Sequence, residues 1–298
     1  MKNKAYIIAA SAISAQEPFS RMEDFAALHA EGVFVPCKDP DFKQYINPMA
    51  GRRMSGILKR SIAVSKHALS ECGIACPDAI ITGTGNGCVS DTEAFLSKMV
   101  EDGESMLNPS KFICSTPNTI GSQIAISLGC KGFNSTHVND RFAMEGALQD
   151  CLFLLQKGSV KNVLLCTADQ MTEGLYRMLN VEGLWKGIPV SEGACAFVLS
   201  SSPEGAFAVV EDMVQTRSNP EWELDRMLSS NGLNRDDIDL TITPEDYKKY
   251  CGEFLSASAF GLLCCCQTLK NNGARRILLS GESSRGYSYI LLSGICTN

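Results

Sequence analysis

The sequence has only three histidines, His29, His67 and His137, and two tryptophans among its 298 residues. Three scattered histidines offer little for a zinc centre, and we expect neither a metal nor another cofactor. No run of about 18 apolar residues is present, so no membrane span is expected. The formal net charge is −6, from 27 basic and 33 acidic residues, which argues against a nucleic-acid partner.

Cysteine is abundant, with 14 residues, but these lack the spacing of a disulfide framework or a metal site. Many stand singly inside apolar runs, and three follow one another at residues 264–266 within a helical pattern. This distribution is typical of buried, reduced thiols and favours a cytoplasmic protein. The opening residues MKNKAYIIAASAISAQ imitate a signal peptide, but the interpretation we prefer is a first buried strand over residues 5–11.

The segment at residues 132–167, GFNSTHVNDRFAMEGALQDCLFLLQKGSVKNVLLCT, predicts a strand, a sharp turn, a buried helix and a second strand. The first strand covers residues 133–138, and Asn139 and Asp140 are expected to cap the helix. A strand-to-helix elbow above a buried parallel sheet is where many enzymes carry a nucleophile. This elbow carries Asn139, Asp140 and Arg141 instead.

An internal duplication is visible in two apolar-basic segments. LLQKGSVKNVLL, which begins at Leu154, has the same pattern as TLKNNGARRILL, which begins at Thr268, and an apolar helix precedes each copy. Two such units packed back to back predict one layered α/β/α/β/α domain over residues 1–298. Its halves would cover about 1–203 and 204–298, with the second half shortened.

Five strands are expected in the second part of the chain, one of them at residues 238–242. Residues 194–199 and 206–213 are predicted to be paired strands, and residues 276–280 and 287–292 a hairpin.

Residues 52–72 predict an amphipathic helix that begins with basic residues. Two interpretations remain open for these residues, a solvated face and a docking surface for an acidic partner. The turn GTGNG at residues 83–87 follows a buried strand. It lacks the third glycine of a dinucleotide fingerprint and the lysine of a P-loop, so we expect it to permit close backbone packing.

Several motifs together resemble the β-ketoacyl synthases of the thiolase fold, and the likeness covers nearly the whole chain. NPSKFICSTPNTIGSQIAISLGCKGFN is similar to the proline-asparagine segment ahead of that family's elbow, and is the most specific match. DAIITGTGNG resembles its strand and glycine turn, SEGACAFVL its glutamate-glycine-alanine strand, and GEFLSASAFGLL its glycine-histidine helix start. SGESSRGYSYILL looks like its final hairpin.

The resemblance implies enzymes that condense acyl chains on acyl carrier protein, using an elbow thiolate and two imidazoles. Counted back from Gly158, the position of the cysteine is Arg141 in this chain. Glu253 replaces the histidine of the helix motif, and Pro244 lies in the segment that replaces the second histidine motif. We therefore expect no catalytic residue at these degenerate positions. We hypothesise that Arg141 and Glu253 form an ion pair that fills the pocket.

The function that the resemblance favours is a non-catalytic, chain-length-factor-like subunit in fatty acid or polyketide biosynthesis, as in aryl polyene or flexirubin type II pathways. It would form a heterodimer with an active β-ketoacyl synthase, or a self-dimer, and would contact acyl carrier protein. The acyl or partner interface would consist of Phe133, Asn134, Ser135, Thr136, His137 and Val138. The carrier-protein docking surface would consist of Arg52, Arg53, Lys59 and Arg60.

Two alternatives remain open. One is an active acyltransferase or 3-oxoacyl synthase with a non-standard site, and the other is a module that binds an acyl chain or a carrier protein. The obvious candidate cysteines and histidine are not expected to supply a nucleophile. Cys151 and residues 264–266 fit the buried face of a helix, and His137 is interpreted as a satisfied or interface histidine.

Overall fold

The computed structural model describes residues 4–29, 34–103, 105, 109–181, 189–271 and 273–295. Within these residues the strands are β1 (Ala5–Ile13), β2 (Phe34–Val35), β3 (Ala79–Thr84), β4 (Phe133–Val138), β5 (Asn162–Asp169), β6 (Val190–Ser191), β7 (Gly193–Ser200), β8 (Ala208–Thr216), β9 (Leu240–Ile242), β10 (Arg276–Ser283) and β11 (Gly286–Gly294). The helices are α1 (Pro48–Gly51), α2 (Gly56–Glu71), α3 (Val89–Glu101), α4 (Pro109–Ser115), α5 (Thr119–Leu128), α6 (Ala143–Gln156), α7 (Glu173–Val181), α8 (Pro220–Ser230), α9 (Pro244–Cys251) and α10 (Ser258–Lys270). No helix in this part of the chain is long and apolar enough to cross a membrane.

One mixed sheet of nine described strands runs in the order β4-β3-β5-β7-β1-β8-β11-β10-β9, and β2 pairs separately with β6. β3 lies parallel between β4 and β5, and β7 is antiparallel to both β5 and β1. Along β1-β7-β5-β3 the successive pairings are antiparallel, antiparallel and parallel. Along β8-β11-β10-β9 the same three pairings follow in the same order. No strand in the described residues corresponds to β4 in this second copy. The order is therefore that of duplicated halves with a shortened second half, and the division near residue 203 stays a prediction.

Five layers follow from where the apolar side chains are buried. The central layer contains α6 and α10, whose Leu148 and Phe260 pack with side chains from the inner faces of both halves of the sheet. α2 and α5 cover the outer face of the first half, and α8 covers that of the second. β3 is buried along its whole length because helices cover both of its faces. Burying one side chain such as Leu148 contributes roughly 1.5–3 kcal/mol.

Two sequence predictions about element pairing and bounds were wrong. β7 and β8 are not paired, because β1 lies between them and pairs with both. The predicted helix over residues 52–72 begins only at Gly56, since a separate short helix, α1, ends at Gly51 and leaves Arg52 and Arg53 in the intervening turn. The hairpin of β10 and β11 is confirmed.

Thirteen of the 14 cysteines lie in the described residues, and all thirteen are free thiols. Most of them are buried, as their positions in apolar runs predict. They act as small apolar side chains of the core.

Candidate functional site

The elbow lies between the end of β4 and the start of α6. Asp140 adopts a left-handed backbone conformation, with φ of 49°, and begins a short 3-10 turn that continues to Phe142. Asn139 is the N-cap of this 3-10 turn, without a side-chain capping hydrogen bond, whereas the N-cap of α6 itself is Phe142, so the predicted capping of α6 by Asn139 and Asp140 was wrong. A tight, left-handed turn for a non-glycine residue costs roughly 1–3 kcal/mol and is a feature of functional sites. The elbow geometry is thus present without a nucleophile on it.

Arg141 and Glu253 form the ion pair that the sequence predicts. Arg141 Nη1 donates to Glu253 Oε1, and Lys248 Nζ lies 2.5 Å from Glu253 Oε2. The Glu253 side chain is buried, so two cations compensate one buried carboxylate. The backbone of Glu253 is also fixed, because its N–H donates to the Pro189 carbonyl at 2.8 Å. The pair joins the elbow of the first half to the start of the helix motif in the second half.

Pro244 starts a helix. It is the first residue of α9, and the preceding Thr243 is the N-cap. The backbone N–H and the hydroxyl of Thr243 both donate to Asp246 Oδ2 at 2.9 Å. This arrangement is a helix-capping device, so the segment that replaces the second histidine motif has a structural role.

Little space remains beside the ion pair. The cavity lined by Arg141, Glu145, Glu253 and Ser258 has a volume of about 20 Å³. A cavity needs about 10–15 Å³ to hold one water molecule. An acyl chain therefore has no room at this point of the described structure.

Glu145 is a buried acid at this site that the sequence analysis missed. Its carboxylate accepts hydrogen bonds from Ser258 Oγ at 3.2 Å and Ser288 Oγ at 3.1 Å. Burial raises the pKa of Glu145 to about 7, although the two hydroxyl donors act in the opposite direction. The available signal was an acidic residue on the buried face of a helix that is otherwise apolar there.

A second missed acid, Asp169, holds the glycine-rich turn. Asp169 Oδ1 accepts from the backbone N–H of Gly85 at 2.9 Å and of Asn86 at 3.1 Å, and from Thr84 Oγ1 at 2.9 Å. The turn packs as predicted, because a Cβ on Gly85 would lie 2.4 Å from Leu255 Cβ. The turn therefore meets the second half of the chain next to the elbow, and its N–H groups are used by a protein carboxylate.

Among the described residues, the candidate thiols Cys151 and Cys264 are not activated nucleophiles. Burial raises the pKa of the Cys151 thiol well above its ordinary value and that of Cys264 to about 12. A thiol with a raised pKa is not the thiolate that acyl transfer needs. His137 Nε2 lies 2.7 Å from Asp150 Oδ2, which agrees with the interpretation of a satisfied histidine.

β4 lies at one edge of the nine-stranded sheet, and among the described strands it pairs only with β3. Phe133 and Val138, at its two ends, are each 53% exposed. Ile126 on α5 and Phe153 on α6 are also exposed, and both helices pack on β4. The expected interface strand is therefore an open edge flanked by exposed apolar side chains.

The basic residues divide into two groups. Arg52 and Arg53 are exposed, and Lys59 is partly exposed. Arg60 is different, because its side chain is 11% exposed and pairs with Glu192 at 2.7 Å and with Asp39 at 2.6 Å. This pairing argues against a docking role for Arg60, and the hypothesis stays a prediction for Arg52, Arg53 and Lys59.

No protein-family model matches the chain, and no curated protein matches it. Solved structures do match over nearly its whole length. The ishigamide ketosynthase/chain length factor superposes with a TM-score of 0.80 and 14% identity, over 99% of this chain and 100% of that chain. A β-ketoacyl synthase from Burkholderia phymatum gives a TM-score of 0.81 and 13% identity over the same shares. A type II polyketide ketosynthase, solved in complex with its acyl carrier protein and bound to a hexaketide, gives 0.81 and 15%, again over 99% and 100%.

The chain has the fold of the β-ketoacyl synthases. The thiolase-like, five-layered fold expected from the sequence is thereby confirmed. Identities of 13–15% establish the fold and leave the chemistry to be argued from the residues of this chain.

Proposed function

We propose that this chain is the non-catalytic partner of an active β-ketoacyl synthase in fatty acid or polyketide biosynthesis, with the role of a chain length factor. The observation that carries the proposal is the Arg141–Glu253 pair at the elbow. By the resemblance to the β-ketoacyl synthases, these two positions are the ones at which a condensing enzyme needs a thiolate and an imidazole.

The groups at the elbow do not match the chemistry of condensation. An arginine side chain donates hydrogen bonds only and keeps its proton, so Arg141 acts as neither nucleophile nor base. Glu253 is held by two cations, and the sequence contains no histidine after His137. Decarboxylation of a malonyl group would have no imidazole from the second half of the chain to stabilise the enolate. The retained fold would then act through its surfaces.

The open edge of β4 supports the proposal that a strand of a partner protein pairs there. An exposed strand edge presents unpaired N–H and C=O groups, and proteins that avoid edge pairing place charges or prolines there. β4 has neither, and its sequence is FNSTHV. A groove of about 600 Å³ between α5 and β4, lined partly by Ile126, Asn134 and Thr136, lies beside this edge. In the proposed assembly, the equivalent strand of an active synthase pairs here, or that of a second copy of this chain.

Arg52, Arg53 and Lys59 supply a local positive surface on a chain of net charge −6. Carrier-protein docking would use electrostatic attraction of this kind, which raises association rates and weakens with salt. In the proposal the carrier protein docks at the turn between α1 and α2.

The test is co-expression with the active synthase encoded in the same genome, followed by measurement of complex mass by size exclusion and light scattering. We expect a complex with that synthase. Val138→Lys places a charge on the edge strand and is expected to dissociate the complex. Val181→Lys, at an 88% exposed position on α7, is the matched control and should leave it intact. If Val138→Lys leaves the association unchanged, the proposed interface is refuted. If the chain stays monomeric in the presence of the synthase, the proposed partnership is refuted.

A further inference from the structure

The sheet opens between its two halves. β8 pairs with β1 only from Ala5 to Ile7, whereas β1 continues to Ile13 and remains paired with β7. The edge of β1 beyond Ile7 is therefore not covered by β8. Small side chains occupy this stretch, at Ala10, Ser11 and Ala12. A crevice results where the sheet divides.

This crevice is a cavity of about 310 Å³. Its lining includes Ala10, Ser11 and Ala12 from β1, together with Phe207 and Cys266. None of its lining residues lines the small cavity at the elbow, so the two are separate. Ligand pockets range from about 300 to 1,000 Å³, which places this one at the size for a small molecule.

Two stacked rings form a fixed wall of the cavity. The rings of Phe19 and His67 lie parallel, with centroids 3.9 Å apart and an interplanar angle of 3°. Phe19 adopts a left-handed backbone conformation, φ 60°, and its N–H donates to the Ala12 carbonyl at 3.0 Å. His67 Nδ1 is hydrogen-bonded to Ser11 Oγ at 2.9 Å, and burial lowers the pKa of His67. A neutral imidazole, a strained phenylalanine and a serine are thus held in one arrangement.

Two basic residues and one acid are among the exposed residues that line the cavity. They are Lys270, Arg21 and Glu71. Lys270 Nζ is 5.3 Å from the centroid of the Phe207 ring, which also lines the cavity. Arg21 is exposed and only loosely paired, at 3.7 Å from Glu23. Cations and aromatic rings in the lining favour a ligand with an anionic group and a flat apolar body.

We propose that this crevice binds a small aromatic carboxylate, with its ring against the aromatic side chains that line the cavity and its carboxylate at Lys270. The site lies apart from the elbow, and its occupancy does not depend on the function proposed above.

Benzoate is the probe for the test, titrated into the full-length chain and followed by ligand-observed NMR and calorimetry. We expect saturable binding to the unaltered protein. Ala10→Phe fills the cavity and should weaken binding by about ten-fold or more. Lys270→Gln removes the cation and should weaken it by about three-fold. Lys249→Gln is the matched control, because Lys249 Nζ lies over the Tyr250 ring at 5.0 Å outside the cavity, and should change nothing.

Benzamide, which keeps the ring and lacks the charge, is expected to bind more weakly than benzoate. Absence of saturable benzoate binding would overturn the proposal. Binding that survives both Ala10→Phe and Lys270→Gln would place the ligand elsewhere and also overturn it. Equal binding of benzamide would overturn the assignment of a carboxylate. Ala10→Phe is interpreted only if its circular dichroism matches that of the unaltered chain, and the exposed Lys270→Gln tests the site independently of it.

Discussion

The carboxyl group of Glu145 lies in the central layer, between α6 and α10, and is 1% exposed. Burial raises its pKa from the ordinary value of 4.5 to about 7. One pKa unit corresponds to about 1.4 kcal/mol, so ionising Glu145 in the folded protein costs about 3 kcal/mol more than in the unfolded chain. Glu145→Gln keeps the shape and the capacity to bond both serines, but it cannot ionise.

The expected effect depends on pH. Below about pH 4.5, Glu145 is protonated in both the folded and unfolded states, and its ionisation contributes nothing to stability. Between about pH 4.5 and 7 the unfolded chain loses the proton first, so the free energy of unfolding falls as pH rises. Above pH 7 the full penalty is present. Glu145→Gln is therefore expected to stabilise the protein by about 3 kcal/mol at pH 8 and by almost nothing near pH 4.5.

The assay is urea unfolding of both proteins across this pH range, followed by circular dichroism. Glu282→Gln is the control for the loss of one carboxylate at an exposed position. A gain from Glu145→Gln that is the same at pH 4.5 and pH 8 would refute the reasoning. Destabilisation at pH 8 would refute it as well.

Three further predictions concern the elbow and the basic surface. Glu253→Ala leaves two cations without their carboxylate and should lower the free energy of unfolding by about 3 kcal/mol, whereas a loss below about 1 kcal/mol in urea unfolding would contradict the ion-pair account. Gly85→Ala should cost about 2 kcal/mol through its clash with Leu255, and Leu255→Ala in the same chain should recover part of that loss in thermal unfolding. Arg53→Glu should weaken carrier-protein binding about five-fold at low salt, as measured by calorimetry. If the exposed control Arg217→Glu weakens binding equally, the effect comes from net charge and not from a docking surface at Arg53.

The fold and the elbow were predictable from sequence because their signals are local. The strand, turn and helix around Arg141 follow from apolar spacing within 36 consecutive residues, 132–167. The resemblance to the β-ketoacyl synthases, and not the local pattern, then placed Glu253 at the start of the helix motif in the second half. Once both positions were fixed, opposite charges at one buried point implied the ion pair that the structure contains.

What the sequence analysis missed depends on contacts between distant parts of the chain. Two predicted neighbours, β7 and β8, are separated by β1, which comes from the other end of the sequence. The environment of Glu145 is set by Ser258 and Ser288, which lie 113 and 143 residues further along. Arg60 resembles a surface residue on its helix, but Glu192 from another segment buries and neutralises it. Local periodicity carries no information on such pairings.

The central claim is that this chain performs no condensation and acts through a partner. Intact-protein mass spectrometry after incubation with acyl and malonyl carrier-protein thioesters tests it most directly, with product analysis of the same mixtures. The account predicts no covalent acyl adduct and no condensed product from the chain alone. It predicts product when the active synthase is added, with a chain length that changes when Val138→Lys disrupts the interface. An acyl adduct on this chain, or product formed by it alone, would contradict the account.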